Sequence, residues 1–302
     1  MDIKEKIKKL KKERRAVILA HNYQIPEVHD IADYIGDSLG LSIQAAKTDA
    51  EMIVFCGVHF MAETAKILSP DKKVLLPDER AGCPMADMIN ADQLRALKAE
   101  HSQAKVICYV NTTAAVKAEC DLCCTSANAV QMVGEALKDA EEIIFVPDQY
   151  LAAYVTEHTH RQMITWKGYC PTHANIRPDH LLTEKARHPE AEIVAHPECR
   201  PDVTRIADKV ASTEGMLIYI KKSKAKAFIV GTEQGIIYRM QKQNPDKIFY
   251  EPSKPALCPT MKRINLEKIL RSLEEEKHEI NVPEEIAGKA RTAIRKMLDF
   301  SD

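Results

Sequence analysis

Short apolar runs recur along the chain and alternate with stretches in which apolar residues are spaced three or four apart. The short runs predict buried strands of parallel sheets, and the spaced stretches predict amphipathic helices. Their alternation predicts an α/β fold. The first class of predicted strand occupies residues 16–24, 105–113 and 192–200. Each of these strands is preceded by a predicted helix rich in charged residues and in leucine or alanine.

Two further strand classes follow in the same order each time. The second class leads into another helix and occupies residues 51–60, 141–150 and 226–235. The third class ends in a Cys-Pro pair, and the three pairs are 87 and 88 residues apart: Cys83-Pro84, Cys170-Pro171 and Cys258-Pro259. The chain is therefore predicted to form three homologous α/β/α sandwich domains with parallel sheets, related by pseudo-threefold symmetry around a central active site. The expected units are residues 1–88, 89–175 and 176–264, with a packing tail over 265–302.

Polar side chains at the predicted strand ends keep the same register as the Cys-Pro pairs. Loops that follow parallel strands lie on one edge of the sheet, where ligands of open α/β sheets bind, so these side chains are expected to converge. The strand-end residues are His21, Tyr109 and His196, and two positions further on come Tyr23, Asn111 and Glu198. Hydroxyl clusters follow them at Asp37-Ser38, Thr125-Ser126 and Ser212-Thr213.

Composition excludes several classes of function. The 302 residues carry a formal charge of −1, which gives no electrostatic reason to expect nucleic-acid or membrane binding. No apolar run approaches the ~20 residues of a membrane span, and the charged N-terminal residues lack the apolar centre of a secretory signal. Nine cysteines without an export signal predict a reducing, cytoplasmic location. Neither a GxGxxG nor a Walker-type glycine loop occurs.

The three Cys-Pro cysteines are predicted metal ligands, because they recur in register. Three thiolates that meet on a threefold axis would bind a metal centre and leave one of its coordination positions open. Structural zinc sites usually take four ligands close in sequence, so widely spaced cysteines favour an iron–sulfur cluster. The other cysteines lack counterparts in the other units. Cys56 and Cys108 are interpreted as core residues, and Cys199 follows Glu198 without a counterpart of its own. The role of Cys120, Cys123 and Cys124, a CxxCC motif, is left open.

Eight sequence features in one order resemble the quinolinate synthase family from about residue 5 to about residue 300. They are HNYQ (21–24), IGDSL (35–39), YVNTT (109–113), TSANAV (125–130), GYCPTH (168–173), HPEC (196–199), ASTEGM (211–216) and the Cys-Pro loops. The resemblance implies a [4Fe–4S] cluster held by Cys83, Cys170 and Cys258. It also implies condensation of iminosuccinate with dihydroxyacetone phosphate to quinolinate, phosphate and water, on the way to NAD. The enzyme that supplies iminosuccinate is then an expected functional partner.

The chemistry suggests roles for the polar residues. Glu198 is the expected general base, His196 and His173 are expected to move protons, and Tyr23 is expected to act as an acid or to orient the triose carbonyl. The remaining groups are expected to bind substrate together with His196 and Glu198: His21, Ser38, Tyr109, Asn111, Ser126, Ser212 and Thr213. The alternative to these roles is structural: the histidines would only form hydrogen bonds at the strand ends, and the hydroxyls would only cap helices.

Two other functions remain open at this point. An oxygen- or iron-sensing protein would need the thiolates but would have no use for the recurring polar residues. A zinc-dependent lyase would use three thiolates and one water. Anaerobic purification distinguishes them, because an iron–sulfur protein is brown and a zinc protein is colourless.

Overall fold

The computed structural model describes residues 2–254 and 256–300 and contains three four-stranded sheets. The first sheet comprises β1 (Ala16–His21), β2 (Tyr34–Gly36), β3 (Met52–Cys56) and β4 (Lys73–Leu75). The second comprises β5 (Lys105–Tyr109), β6 (Leu122–Cys124), β7 (Ile143–Val146) and β8 (Ile164–Thr165). The third comprises β9 (Glu192–Ala195), β10 (Lys209–Val210), β11 (Ala227–Gly231) and β12 (Ile248–Tyr250).

The three sheets have the same topology. Their strand orders are β2-β1-β3-β4, β6-β5-β7-β8 and β10-β9-β11-β12, and every pairing within them is parallel. The central strands β3 and β7 are buried along their whole length, as strands covered on both faces should be. The α/β class and the three parallel sheets predicted from the sequence are confirmed.

Helices also repeat from unit to unit. The first unit contains α1 (Ile3–Glu13), α2 (Pro26–Ile31), α3 (Ser38–Lys47) and α4 (His59–Leu68). The second contains α5 (Ala91–Glu100), α6 (Ala114–Lys117), α7 (Ala129–Gln131), α8 (Gln149–Thr159) and the short α9 (Pro171–Ala174). The third contains α10 (Pro178–Arg187), α11 (Pro201–Thr204), α12 (Thr213–Lys222) and α13 (Ile236–Gln243). The chain ends with α14 (Leu266–Glu275) and α15 (Glu284–Asp299).

Each unit has one strand that the hydrophobic pattern did not predict. Strands β2, β6 and β10 have only two or three residues, too few to show a periodicity. An aspartate near the start of each accepts a hydrogen bond from the backbone of the neighbouring central strand. The N–H groups of Ile18, Val106 and Ile193 donate to Asp33, Asp121 and Asp208 at 2.7, 2.8 and 2.8 Å. This repeated contact fixes the edge strand beside the site.

The Cys-Pro loops are attached to the sheets by another repeated hydrogen bond. In each unit, a backbone N–H shortly after the end of the central strand β3, β7 or β11 donates to the carbonyl two residues before the cysteine. The pairs are His59 with Ala81 at 2.8 Å, Gln149 with Gly168 at 2.9 Å, and Gln234 with Ala256 at 2.9 Å. All three cysteines are therefore presented from equivalent positions at the carboxyl edges of their sheets.

The C-terminal segment contacts the first two units. Helix α14 packs against α1 and β3, and α15 packs against β6, α6 and α4. Between them, Ile280 N–H donates to the Val74 carbonyl at 2.8 Å, alongside strand β4. Within the described ranges, no helix has the length and apolar character needed to cross a membrane.

Candidate active site

One cavity receives side chains from all three units, with about 960 Å³ of empty space including the part open to solvent. It lies where the strand ends, the hydroxyl turns and the Cys-Pro loops meet. Thirteen of the fourteen residues predicted from the sequence to form the site line it. They are His21, Tyr23, Ser38, Cys83, Tyr109, Asn111, Ser126, Cys170, His173, His196, Glu198, Thr213 and Cys258. Ser212 is the fourteenth, and it lies behind Thr213.

The helix starts beside the cavity explain the position of Ser212. Asp37 accepts the Gly40 N–H at 2.8 Å and caps α3, and Ser212 accepts the Gly215 N–H at 3.2 Å and caps α12. In these two pairs the cap therefore occupies the first position. The following hydroxyl, such as that of Thr213, faces the cavity at the first turn of its helix.

The three cysteine thiols are spread around the cavity. Among the described residues, one group of three possible ligand atoms lies within 4.8 Å of one another, and it contains Cys170, His173 and Glu198 rather than the three cysteines. The cysteines are thus too widely separated to hold one ion together, whereas a polynuclear cluster needs separated ligands. Burial raises the pKa of Cys83 to about 12 and that of Cys170 well above its usual range, so metal binding must release protons from these thiols.

The compact group at Cys170 is held by hydrogen bonds. Nδ1 of His173 lies 3.2 Å from Cys170 Sγ and 2.8 Å from Glu198 Oε2. A single ion placed among these three residues would have to replace both contacts. The donor set of three separated thiols around an open cavity therefore fits a cluster better than a lone ion at this group.

His21 and His196 are held in one tautomer by the same local contact. The N–H of Tyr23 donates to Nδ1 of His21, and the N–H of Glu198 donates to Nδ1 of His196, both at 3.2 Å. Burial lowers the pKa of both imidazoles to about 3, so they are neutral and carry their proton on Nε2. Nε2 of His196 lies 3.2 Å from the Ser126 hydroxyl. Each ring can therefore offer one N–H donor in the cavity.

A chain of hydrogen bonds begins at Glu198, which is only 4% exposed. Tyr109 Oη donates to Glu198 Oε1 at 2.5 Å, and His173 Nδ1 lies 2.8 Å from Oε2. On the other side of His173, Nε2 lies 2.8 Å from the hydroxyl of Thr232, which is itself 2.7 Å from Tyr23 Oη. These contacts connect residues of all three units and provide a path along which a proton can move.

The ionisation of Glu198 follows from the same neighbours. Burial opposes the charged form, but the attraction of His173 and the hydrogen bonds from His173 and Tyr109 hold the pKa of the carboxyl well below its usual range. Glu198 is therefore a carboxylate that already accepts two hydrogen bonds.

The cavity has few fixed charges for anion binding. No lysine or arginine is among the described residues that line it. Asn111 contributes an amide whose Oδ1 is buried without a hydrogen-bond partner. Hydroxyls, amide groups and neutral histidines are thus the available donors.

Some residues that shape the site were missed by sequence reasoning. Thr232 completes the path from His173 to Tyr23, and Asn22 donates to the Thr213 hydroxyl at 2.9 Å. Arg239 binds both Asn22, at 2.5 Å, and Glu214. Asn22 stands inside the HNYQ motif and Thr232 lies inside the predicted strand over residues 226–235, so the sequence pointed to both segments although it did not identify the partners.

The other six cysteines are not among the residues that line the cavity, and the contacts of four of them are as follows. Cys108 and Cys123 are fully buried paired residues of β5 and β6, with their sulfur atoms 3.5 Å apart. Cys120 donates to the Val116 carbonyl at 3.1 Å. Cys199 is buried against the Gly231 carbonyl, with its sulfur 3.3 Å from that oxygen. None of these four thiols lines the cavity.

The repeated sheets and the shared cavity define an α/β protein in which a single site is assembled from three homologous units. The model of the family described as Quinolinate synthetase A protein matches residues 5–299. The chain belongs to this family.

Individual relatives agree along almost the whole length. A protein named quinolinate synthase from Dehalococcoides mccartyi (strain CBDB1) is 56% identical over 296 residues, 98% of this chain and 97% of that protein. A quinolinate synthase of Methanosarcina barkeri is 54% identical over 294 residues, 97% of this chain and 96% of that protein. One from Desulforudis audaxviator is 52% identical over 302 residues, 99% of each chain. The family resemblance seen in the sequence motifs is confirmed.

Proposed function

We propose that this protein is a quinolinate synthase of NAD biosynthesis, which condenses iminosuccinate with dihydroxyacetone phosphate and releases quinolinate, phosphate and water. The names of its relatives support this activity. The observation that carries the proposal is the convergence of three separated thiols, several neutral donors and a buried carboxylate on one cavity. A sensor with a labile cluster would not need the polar groups.

The cofactor of this reaction is a [4Fe–4S] cluster held by Cys83, Cys170 and Cys258. Because clusters of this kind normally take four cysteines, three ligands leave one iron without a protein thiolate. When bound, the cluster supplies a Lewis acid toward an oxygen or nitrogen atom of the substrate.

Neutral donors hold the substrate anions in this proposal. Iminosuccinate carries two carboxylates and the triose carries a phosphate, and each requires hydrogen-bond donors. The hydroxyls at the helix starts lie beside backbone N–H groups and the positive ends of the helix dipoles. The donors for these anions are His21, Ser38, Asn111, Ser126, His196 and Thr213. The Tyr109 hydroxyl instead donates to Glu198.

Proton transfer is assigned to the hydrogen-bond chain. Glu198 is the general base, because its carboxylate lies in the cavity and begins the hydrogen-bond chain through which a proton can be passed on. His173 can relay the proton between Glu198 and the Thr232 hydroxyl, which contacts Tyr23. Tyr23 is buried and its pKa is raised well above its usual range, so its phenol stays protonated and can donate a hydrogen bond; its proposed role is to orient the triose carbonyl or to act as the acid at the end of this chain. His196 orients substrate as a neutral donor.

The cellular setting follows from the substrate. An imine hydrolyses in water, so the protein is proposed to work beside the enzyme that supplies iminosuccinate. The nine cysteines favour a reducing compartment, and the proposed location is the cytoplasm.

Anaerobic purification followed by an activity assay tests the proposed function. A brown protein with broad visible absorbance that bleaches in air, and that forms quinolinate from the two substrates, is the expected result. A colourless protein with one zinc would overturn the cluster assignment. A brown protein that forms no quinolinate would favour the sensor.

A further inference from the structure

An ion pair between buried Glu233, which lines the cavity, and half-buried Lys262 lies beside the third cysteine and takes no part in the hydrogen-bond chain from Glu198. Glu233 is fully buried, and Lys262 Nζ lies 2.9 Å from its Oε1 and 3.1 Å from its Oε2. Buried charges are retained where they are paired and fully hydrogen-bonded, so the other contacts of this pair indicate its role.

The carboxylate of Glu233 also binds two backbone groups. Its Oε1 accepts the N–H of Cys258 at 3.1 Å, and its Oε2 accepts the N–H of Gly235 at 2.8 Å. Pro259 has no N–H, so the Cys258 amide is the one backbone donor of the third Cys-Pro pair. Glu233 therefore fixes the backbone that presents this thiol.

The other two units lack this arrangement. The residue at the equivalent position of the first unit is Val58, which has no polar side chain. In the second unit it is Asp148, whose Oδ1 caps α8 by accepting the N–H groups of Tyr150 and Leu151. Direct attachment of a ligand cysteine to a carboxylate is thus particular to Cys258 among these three positions.

Lys262 extends the contact into the first unit. Its ammonium group also donates to the carbonyl oxygen of Tyr23. Beside it, Gln24 Nε2 donates to the Met261 carbonyl at 3.0 Å. The segment that carries Cys258 is therefore tied to the segment that carries Tyr23.

Gly235 makes this convergence possible. A Cβ atom at this position would lie 2.4 Å from Lys262 Nζ, 2.7 Å from the Tyr23 carbonyl oxygen and 2.8 Å from Glu233 Oε2. Two of these three atoms cannot move without displacing the backbone or the buried carboxylate. A side chain at residue 235 would therefore separate the ion pair from the groups it holds.

We propose that Glu233 and Lys262 are positioning residues that hold the Cys258 loop against the Tyr23 segment, so that the third thiolate is in place for the cluster. The inference rests on the proposed function for the identity of the cluster. The attachment of the loop can be measured without any metal.

The first measurement is amide hydrogen exchange in the metal-free chain. Glu233→Gln removes the charge but keeps the size of the side chain, and Lys262→Met removes the ammonium group. Each variant is expected to speed exchange in the peptide over residues 256–262 by about tenfold, with little change elsewhere. Asp246→Asn is the matched control, because it breaks an exposed pair with Lys226 in the same unit.

The second measurement is iron loss to a chelator after anaerobic reconstitution. Loss of an outer partner of a metal ligand typically weakens metal binding by about 10- to 100-fold, so both variants should release iron correspondingly faster than Asp246→Asn. If they exchange and release iron at the wild-type rates while folded, the proposal is wrong. A uniform rise of exchange across the chain would also contradict it, because that result indicates general destabilisation.

Two further outcomes, a variant that does not fold and a chain that takes up no cluster, can also be interpreted. If Glu233→Gln does not fold, Gly235→Ala is compared with Gly288→Ala, where the nearest atom to a new Cβ lies at 3.8 Å. Wild-type exchange over residues 256–262 in folded Gly235→Ala would then overturn the proposal. If the wild-type chain takes up no cluster while Glu233→Gln still loosens the loop, the proposed cofactor fails and the positioning role stands.

Discussion

Tyr109 and Glu198 belong to different units, and the 2.5 Å hydrogen bond between the phenol and the carboxylate joins them across the cavity. Burial, together with the adjacent carboxylate, raises the pKa of Tyr109 well above its usual range, so the phenol keeps its proton and donates it. The bond orients the proposed base from one side while His173 orients it from the other.

Glu198→Gln should abolish turnover and leave the cluster in place. The amide cannot take up a proton, and a positioned general base is typically worth about 100- to 10,000-fold in rate. Quinolinate formation and the visible spectrum should be measured on the same anaerobic sample. Tyr109→Phe is the control, since it removes the donor but keeps the base, and its loss should be smaller. Normal turnover in Glu198→Gln would assign the base to another residue.

Substitution of the cavity cysteines should separate them from the other thiols. Cys83→Ala, Cys170→Ala and Cys258→Ala should each lose the cluster, because each removes one of three ligands. Cys120→Ala should keep it, since this thiol lies outside the cavity. Iron and sulfide content after anaerobic preparation checks both statements. Full activity in Cys170→Ala would refute the cluster assignment.

His21 and His196 should stay neutral from pH 8 down to about pH 5. Their folded pKa values are lowered from 6.5 to about 3, whereas the unfolded chain protonates them near 6.5. As pH falls below 6.5, the unfolded chain gains protons that the folded chain does not bind, so these residues make the free energy of unfolding fall. Nuclear magnetic resonance titration of the metal-free protein provides the test. Midpoints near 6.5 would contradict the buried, one-tautomer arrangement.

Ser212 and Thr213 should respond differently to loss of their hydroxyls. Ser212→Ala removes a helix cap and should lower the free energy of unfolding by about 1 kcal/mol with little effect on KM. Thr213→Val removes a donor facing the cavity and should raise KM by about tenfold. Denaturant unfolding and initial-rate kinetics of the two variants form the comparison. A large KM effect of Ser212→Ala would show that it binds substrate, as the sequence suggested.

Thr232 and Tyr23 should be energetically coupled. Thr232→Val and Tyr23→Phe each break the 2.7 Å contact between the hydroxyls, so the double variant should lose less stability than the sum of the single variants. A coupling of about 0.5–3 kcal/mol is expected for residues in one hydrogen-bond network. Additive losses in denaturant unfolding would show that the contact contributes nothing.

The sequence was sufficient for the features that repeat. The Cys-Pro pairs and the hydroxyl turns keep their spacing in every unit, so their convergence could be predicted from parallel-sheet topology alone. It was insufficient where a residue acts through a partner far along the chain. Thr232 lies 209 residues from Tyr23, and Asn22 lies 191 residues from Thr213. Which residues form such pairs depends on the packing between units, and no local sequence pattern encodes that packing.

The positions at which the three units differ are as informative about function as the positions at which they agree. A site with perfect threefold symmetry would present the same groups to every part of its contents. Here a tyrosine stands in the second unit where the first and third have a histidine, and tyrosine, asparagine and glutamate occupy the next equivalent position. The two proposed substrates have unlike ends, and these differences between the units would present different groups to each end. A sequence in which these positions were made identical would keep the thiol geometry and lose the ability to tell one end of its substrate from the other.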